Sequence, residues 1–436
     1  MKMIVRAVFA ASLMCTAAGT AILSTPAAHA EEKIGPKVGK PLNDAIKAAQ
    51  AGDFPAALAA IKEAQGVEDR TPFEDYKINA ILAYVALKMN DIPTATTAYE
   101  ACADSPAMPD EDKKQTFYNA ILLSAQAKHY QKAIVYGQQL QALNGLDYKI
   151  ESMLAIAYYS TRDFSHAQQF AQMSVDAAKA AGQRPPEQAL EIIMSSQAQQ
   201  KNEAGAEQTL ETLALDFNKP ETWSQLIDIA LSSIGGASRT HTSAGKDPDA
   251  LYLLRLKMVV PNAMSNGSDY LILADAANQQ GYPTEAYNVL QKGIGSGKIT
   301  AAQAGPDYAQ ARSGAALDQR SLAAIARQAE RAKTGEQDIK LAEDYWGYGR
   351  YADAEVAARR AIGKGGLKDT SEGPLLLGML LDVQGKYDDA IQTLAQVDGS
   401  TTRTRTAHLW RLYAQAQKIQ AQGSAAAASA PAPAQH

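Results

Sequence analysis

Small, apolar and polar positions recur along this chain in phrases that predict pairs of amphipathic helices. The clearest are "GRYADAEVAARRAI" from Gly349 and "GKYDDAIQTLAQV" from Gly385, which open on a turn residue and continue at helical spacing. In each phrase an aromatic or apolar residue follows two positions after the turn residue, and an alanine follows three positions after that. These alanines are Ala57, Ala95, Ala133, Ala167, Ala354 and Ala390. The first four lie 38, 38 and 34 residues apart and the last two 36 apart, which indicates a helical repeat array.

A large residue beside a very small one lies twelve positions before several of these alanines. The pairs are Leu82-Ala83, Leu154-Ala155, Leu273-Ala274, Leu341-Ala342 and Leu377-Gly378. Placed in mid-helix, the small residue lets a partner helix approach closely. Weaker phrases at Ala206, Ala250 and Ala286 extend the repeat through the middle of the chain.

These positions together resemble the tetratricopeptide repeat, and "LLLGMLLDVQGKYDDAIQTLAQV" is the best match. Leu377, Gly378, Gly385, Tyr387, Ala390 and Leu394 fall on its signature positions. The resemblance implies an all-α protein, a right-handed α-solenoid of antiparallel helix hairpins, with about ten helix pairs and a C-terminal capping helix. The repeat's Trp is absent throughout, and its closing Pro is mostly missing.

The pattern predicts the following organisation along the chain. We expect a signal peptide over 1–30, a linker over 31–40, repeats over 41–234, a Gly/Ser-rich loop over 235–248, degenerate repeats over 249–334, repeats and the capping helix over 335–421, and a disordered Ala/Pro-rich tail over 422–436.

The N-terminus predicts export. Lys2 and Arg6 precede an uncharged apolar stretch, and Ala28-His29-Ala30 has the small-x-small pattern of a cleavage site. Cleavage near Ala30 would remove both cations and change the net charge from -5, with 42 cations against 47 acids, to -7. We therefore expect a periplasmic or secreted protein with no transmembrane segment in the mature chain, not a lipoprotein, and with no attraction to nucleic acid.

Candidate chemistry is sparse, and we expect no cofactor, no metal site and no catalytic residue. Cys102 occupies a small packing position, which predicts a buried side chain rather than a reactive thiol. "KGIGSGKIT" from Lys292 lacks the first Gly and the final Ser or Thr of a phosphate loop, so it reads as a connector. His241, with Ser238, Ser243 and Asp247, lies in Gly-rich sequence that does not pre-organise a nucleophile.

The resemblance also implies that the first helix of each pair lines a concave groove. Its N-terminal part would carry the basic and aromatic residues Lys77, Tyr84, Lys88, Tyr118, Lys149 and Tyr159, and its C-terminal part the acidic and aromatic residues Asp275, Glu336, Glu343, Trp346 and Asp382. Opposite charges at the two ends would orient an extended peptide or a protein helix. The alternative is that the tyrosines fill gaps between repeats and the lysines are only solvated.

The sequence thus predicts a non-enzymatic protein-binding scaffold of the bacterial cell envelope, whose protein or peptide partner it does not identify. A different class stays open: an exported all-α polysaccharide-active enzyme, a toroid hydrolase or lyase with two carboxylates across a cleft. Two facing acids in a closed toroid would favour the enzyme. A groove filled by the protein's own side chains would favour a structural role.

Overall fold

The computed structural model describes residues 33–235 and 247–429, and every element in these two ranges is helical or a connection between helices. The expected signal peptide, the residues around His241 and the last residues of the tail lie outside them. The chain folds as two compact units, unit 1 up to Glu203 and unit 2 from Ala204. No described helix combines the length and the apolar character that crossing a bilayer requires.

Unit 1 is a run of helices joined by short connections. They are α1 (Pro36–Gln50), α2 (Phe54–Gln65), α3 (Pro72–Lys88), α4 (Ile92–Ala103), α5 (Asp110–Gln126), α6 (Tyr130–Ala142), α7 (Tyr148–Ser160), α8 (Phe164–Ala180) and α9 (Glu187–Gln199). Each odd-numbered helix from α1 to α7 packs against the helix that follows it. The first helices also meet one another, α1 with α3, α5 with α7 and α7 with α9, and so form one layer of the unit.

Unit 2 continues the pattern of helix pairs and also contains two much longer helices, the fifteenth and the twentieth of the described chain. It contains α10 (Glu203–Phe217), apart from its first residue, and α11 (Pro220–Gly235), α12 (Pro248–Val259), α13 (Gly267–Gln279), α14 (Pro283–Gly295), α15 (Ala301–Arg331), α16 (Glu336–Gly347), α17 (Tyr351–Lys364), α18 (Glu372–Val383), α19 (Tyr387–Leu394) and α20 (Thr401–Ser429). α11 pairs with α12, α13 with α14, α16 with α17 and α18 with α19. The expected all-α fold of helix hairpins is therefore confirmed.

A three-residue connection with a left-handed residue in its middle joins the helices of most hairpins. In the first hairpin Gly52 has φ 79°, and the amide of Asp53 returns to the carbonyl of Ala48 at 2.9 Å. The Asp53 carboxylate then accepts the amide of Ala56 at 3.0 Å and caps α2. The corresponding turn residues are Asn90, Lys128, Arg162, Lys201, Gly281, Gly349 and Gly385, all with φ between 59° and 86°.

The small residues of the repeat are buried in the protein interior. The marker alanines Ala57, Ala95, Ala133, Ala167, Ala286, Ala354 and Ala390 are fully buried. A Cβ on Gly378 would lie 2.4 Å from Cγ of Leu394, its partner across the last hairpin. Cys102 is buried too, as predicted, and burial raises the pKa of its thiol to about 12.

Two predicted boundaries differ from the structure. α1 begins at Pro36, inside the expected linker 31–40, because a proline is tolerated in the first turn of a helix. α20 runs to Ser429, into the expected disordered tail, where an alanine-rich sequence favours helix.

Replacing Gly378 with Ala should destabilise unit 2, because the added methyl group meets the buried side chain of Leu394. We expect a loss of about 1 kcal/mol, the cost of overpacking minus the helix propensity gained. The matched control is Gly363→Ala in α17, where nothing lies within 4 Å of the new Cβ and the change should stabilise. Denaturant unfolding that ranks Gly378→Ala as the more stable variant would contradict this packing.

Replacing Lys128 or Arg162 with Gly should stabilise unit 1. Both have a positive φ, 63° and 65°, which costs an L-residue with a Cβ about 1 kcal/mol relative to glycine. Gly52→Ala in the first hairpin should shift stability in the opposite direction. Thermal unfolding of the four proteins tests the shared turn, and a lower melting temperature for both glycine variants would exclude it.

Candidate protein-binding site

α3 places three of the predicted groove residues along one face. Lys77, Tyr84 and Lys88 are separated by seven and four positions, and so lie on one stripe of the helix. The Tyr84 ring packs against the apolar core of α1 and α2 and is half-buried. The ammonium of Lys88 lies 5.5 Å from the centre of that ring, a distance typical of a cation–π contact.

Hydrogen bonds from tyrosines tie successive first helices together. Tyr118 in α5 donates its hydroxyl to Asp147, the residue that caps α7, at 3.2 Å. Tyr76 in α3 donates in the same way to Asp112 of α5 at 2.8 Å, and Lys77 lies 3.7 Å from that carboxylate. Tyr118 therefore stabilises the contact between repeats, and the charge of Lys77 is partly compensated.

α7 carries the other two predicted residues of unit 1. Lys149 is exposed, and its ammonium lies 5.9 Å from the centre of the Tyr148 ring. Tyr159 is half-buried and contacts Phe164 edge-on at 5.5 Å between ring centres. In the part of the chain that the structure describes, neither Lys88 nor Lys149 forms an ion pair with a carboxylate.

In unit 2 the predicted residues Glu343 and Trp346 are buried around an arginine. Arg255 of α12 donates to both oxygens of Glu285, at 2.9 and 2.6 Å, and a third nitrogen lies 2.5 Å from Glu343. The Trp346 ring covers the guanidinium at 5.0 Å. Tyr252 donates its hydroxyl to Glu343 at 2.8 Å. The opposite charges compensate one another in a site with almost no solvent contact.

The last helix, α20, packs back against helices near the start of unit 2 and covers this cluster. α20 packs against α11, α12, α18 and α19. Its Trp410 donates to the carbonyl of Tyr252 at 3.0 Å and meets Trp346 edge-on. Arg403 is buried between Asp249 and Asp369, at 3.1 and 3.2 Å. We call the surface of α11, α12, α18 and α19 that the chain's own α20 covers the inner face of unit 2.

Further polar contacts hold α20 against other helices of unit 2. His408 lies 3.0 Å from Glu211 of α10, and Arg405 forms an ion pair with Glu207 one turn earlier. Lys418 pairs with Asp388 of α19. α20 thus bridges elements from both ends of the unit's sequence.

The remaining predicted acids take three different positions. Asp275 accepts from Gln279 of its own helix at 2.8 Å, and Glu336 accepts the backbone amide of Lys368 at 2.5 Å. Both are half-buried. Asp382 is only 3% exposed, and neither carboxylate oxygen has a hydrogen-bond partner in the described part of the chain.

The expectation of an open acidic groove end therefore needs correction. Glu343, Trp346 and Asp382 are buried, because α20 covers the face on which the repeat pattern predicts them to be exposed. The contact role predicted for the residues of unit 1, and for Asp275 and Glu336, stays a prediction.

Sequence reasoning missed Arg255 and its neighbour Lys257. Both lie in "ALYLLRLKMVV", where two cations interrupt an otherwise apolar helix. Such residues, when buried, need acidic partners, and Lys257 has two, Asp228 at 2.8 Å and Asp269 at 2.9 Å. The interruption is the available signal, but the partners lie too far along the sequence to be identified from it.

The cluster of Ser124, His129 and Glu100 in unit 1 does not have the arrangement of a catalytic triad. Ser124 and His129 both contact Glu100, at 2.9 and 2.7 Å, so the serine donates to the carboxylate rather than to the histidine. Ser124 is also fully buried. Over the described ranges, no group of three or more His, Cys, Asp or Glu side chains is arranged to hold a metal. Asp247 caps α12 by accepting the amide of Asp249.

Replacing Asp382 with Asn should stabilise unit 2 above acidic pH. Burial raises the pKa of this carboxyl to about 8, against about 3.9 in an unfolded chain. The folded protein therefore holds a proton that the unfolded chain releases, and stability falls as the pH rises between these two values. The advantage of Asn should be small at pH 4 and grow up to about pH 8. Denaturant unfolding across that range tests this, and an advantage independent of pH would contradict it.

Comparisons with known proteins give distant structural matches only. No protein-family model matches the chain, and no curated protein does. A tetratricopeptide repeat protein from Parabacteroides merdae ATCC 43184 is 12% identical, with 80% of this chain and 100% of that chain covered and a TM-score of 0.30. Rap protein complexed with competence and sporulation factor is 13% identical, with 88% of this chain and 98% of that chain covered and a TM-score of 0.26. Naa15/Naa10 bound to HypK-THB is 12% identical, with 89% of this chain and 68% of that chain covered and a TM-score of 0.28.

TM-scores this low do not establish a relationship, so the assignment of the fold rests on the chain's own residues. The signature positions of the best repeat fall where the hairpin requires them. Gly378 lies against Leu394, Gly385 takes the left-handed turn with φ 75°, and Ala390 is fully buried. The chain is an all-α protein of tetratricopeptide-like helix hairpins.

Proposed function

We propose that the protein is a non-enzymatic scaffold that binds a protein or peptide segment on the first-helix layer of unit 1. The observation that carries this proposal is the difference between the two units. The inner face of unit 2 is filled by α20. The first helices of unit 1 keep Tyr84 and Tyr159 half-exposed, with the uncompensated lysines Lys88 and Lys149 beside aromatic rings.

The chemistry of this layer suits a segment that carries acidic and apolar side chains. Tyrosines provide a large contact area with few rotatable bonds, and lysines at the rim attract carboxylates and orient the bound chain. Lys77 is the weakest contributor, since Asp112 already lies beside it. On α3, Tyr84 and Lys88 would contact the bound segment together, because the Tyr84 ring positions the Lys88 ammonium.

The absence of enzymatic activity is supported by the state of the acids in unit 2. Glu285 and Glu343 do face each other, but Arg255 lies between them and all three side chains are buried. A sugar chain has no open access to these carboxylates, since Glu285 is only 5% exposed and Glu343 is fully buried. We retain the polysaccharide-active enzyme only as the outcome that a failed binding experiment would favour.

The place of action in this proposal is the bacterial cell envelope. The signal-peptide pattern before Glu31 supports export, and one cysteine in the expected mature chain is consistent with stability that does not depend on disulfides. The proposed partner is therefore another exported or membrane-anchored protein.

The test is site-specific photo-crosslinking in cells of the source organism, with the crosslinking amino acid at position 84 or 159 and, as a control, at Tyr130 in a second helix. We expect one shared adduct from the first two positions and not from the third. Tyr84→Ala with Lys88→Glu and Lys149→Glu should then lower affinity for the purified partner by about tenfold or more.

A matched variant separates this site from a general charge effect. Tyr130→Ala with Lys62→Glu and Lys179→Glu makes the same changes on second helices of unit 1. It should bind the partner normally. Equal loss in both variants, or unchanged binding in the first, would exclude the proposed layer.

A further inference from the structure

α15 differs from every helix beside it. It has 31 residues, whereas α14 has 13 and α16 has 12. Its backbone breaks at Gly305, where φ is 49°, and then continues without interruption to Arg331. A helix this much longer than its neighbours presents a surface that they do not cover.

One side of α15 is anchored to unit 2. Ala304 and Ala311 belong to the core formed with α13 and α14. Asp318 accepts the hydroxyl of Thr284 at 2.9 Å, and Lys364 of α17 donates to the carbonyl of Ala329 at 2.6 Å. These contacts fix the helix along its length and determine which side faces outward.

The opposite side carries a regular exposed stripe. Its members are Leu317, Arg320, Ala324, Arg327 and Arg331. They are spaced alternately by three and four positions, as are the residues through which two helices contact each other in a coiled coil. All five are exposed, and Leu317 retains 65% of its accessible surface. We call these five residues the arginine stripe.

The arginines of the stripe lack acidic partners, unlike most others in unit 2. Arg255, Arg350, Arg359, Arg360, Arg403 and Arg405 each form an ion pair with a carboxylate. Within the described ranges Arg320, Arg327 and Arg331 form none. This local excess of positive charge lies on a chain whose net charge is -5.

Two of these arginines border a depression at the end of the helix. Arg327 and Arg331 line it with Gln328 of α15 and Gln337 of α16, and its volume is about 560 Å³. Two guanidinium groups and two amides offer many donors, and a guanidinium binds a carboxylate through two parallel hydrogen bonds.

We propose that the arginine stripe is a docking surface for an acidic amphipathic helix of a protein partner. Carboxylates of that helix pair with Arg320, Arg327 and Arg331, and an apolar residue covers Leu317. Charge complementarity identifies the occupant as acidic, and the alternating spacing favours a helix over an extended strand. This surface lies in unit 2 and does not depend on the first-helix layer of unit 1.

The test measures binding of a dye-labelled synthetic helical peptide with leucine and glutamate on one face, by fluorescence anisotropy with the full mature chain. We expect saturable binding that weakens with salt. A peptide with glutamine in place of each glutamate should bind about tenfold more weakly. Arg320→Glu with Arg327→Glu and Arg331→Glu should cause a loss of the same order.

A control variant makes the same charge change elsewhere in unit 2. Lys292→Glu with Lys340→Glu and Lys368→Glu alters three exposed cations outside the stripe and should keep most of the affinity. Helix content and thermal unfolding of both variants establish that they fold. In the groove variant of unit 1, with Tyr84, Lys88 and Lys149 replaced, the peptide should still bind and the stripe substitutions should still cause their loss of affinity, which separates this proposal from the proposed function.

Three results would overturn the proposal. One is equal loss of affinity in the stripe and control variants, which would indicate general charge attraction. Another is equal binding of the glutamate and glutamine peptides. The third is no peptide binding together with stripe-dependent binding of phosphatidylglycerol vesicles or inorganic phosphate, which would identify an anionic lipid or phosphate as the ligand class.

Discussion

Close approach of two helices at a very small residue is the constraint on which the whole chain depends. The marker alanines are fully buried, and at Gly378 even a methyl group would meet Leu394. This contact fixes the spacing within a hairpin, and the left-handed turn residue fixes its reversal. Because both devices are local, the chain can repeat them with many different surface sequences.

The same hairpins lead to different surfaces in the two units. In unit 2, α20 covers the inner face, and the buried arginines Arg255 and Arg403 are compensated there by acids from several helices. Removing any one partner would leave a buried charge, which makes such a cluster a strong specifier of one arrangement and a poor binding surface. Unit 1 has no comparable helix across its first-helix layer among the residues described, and its aromatic and basic side chains remain partly accessible.

Local patterns in the sequence predict the hairpins because the causes of a hairpin are local. The repeat pattern identifies Gly349 and Gly385 as turn residues and Cys102 as a small packing residue. The return of α20 cannot be predicted in this way, since the contact of Trp410 with Tyr252 joins residues 158 positions apart. The packing of α20 is also the reason why Glu343, Trp346 and Asp382 are buried rather than exposed.

Hydrogen–deuterium exchange along α20 of the full mature chain tests most directly whether unit 2 is closed by its own last helix. We predict slow exchange from Arg403 to Ala416, comparable to that of α12 and α18, because these residues pack inside the unit. Fast exchange in that segment, at the rate of a free helix, would mean that the inner face is open. It would then contradict the assignment of binding to unit 1.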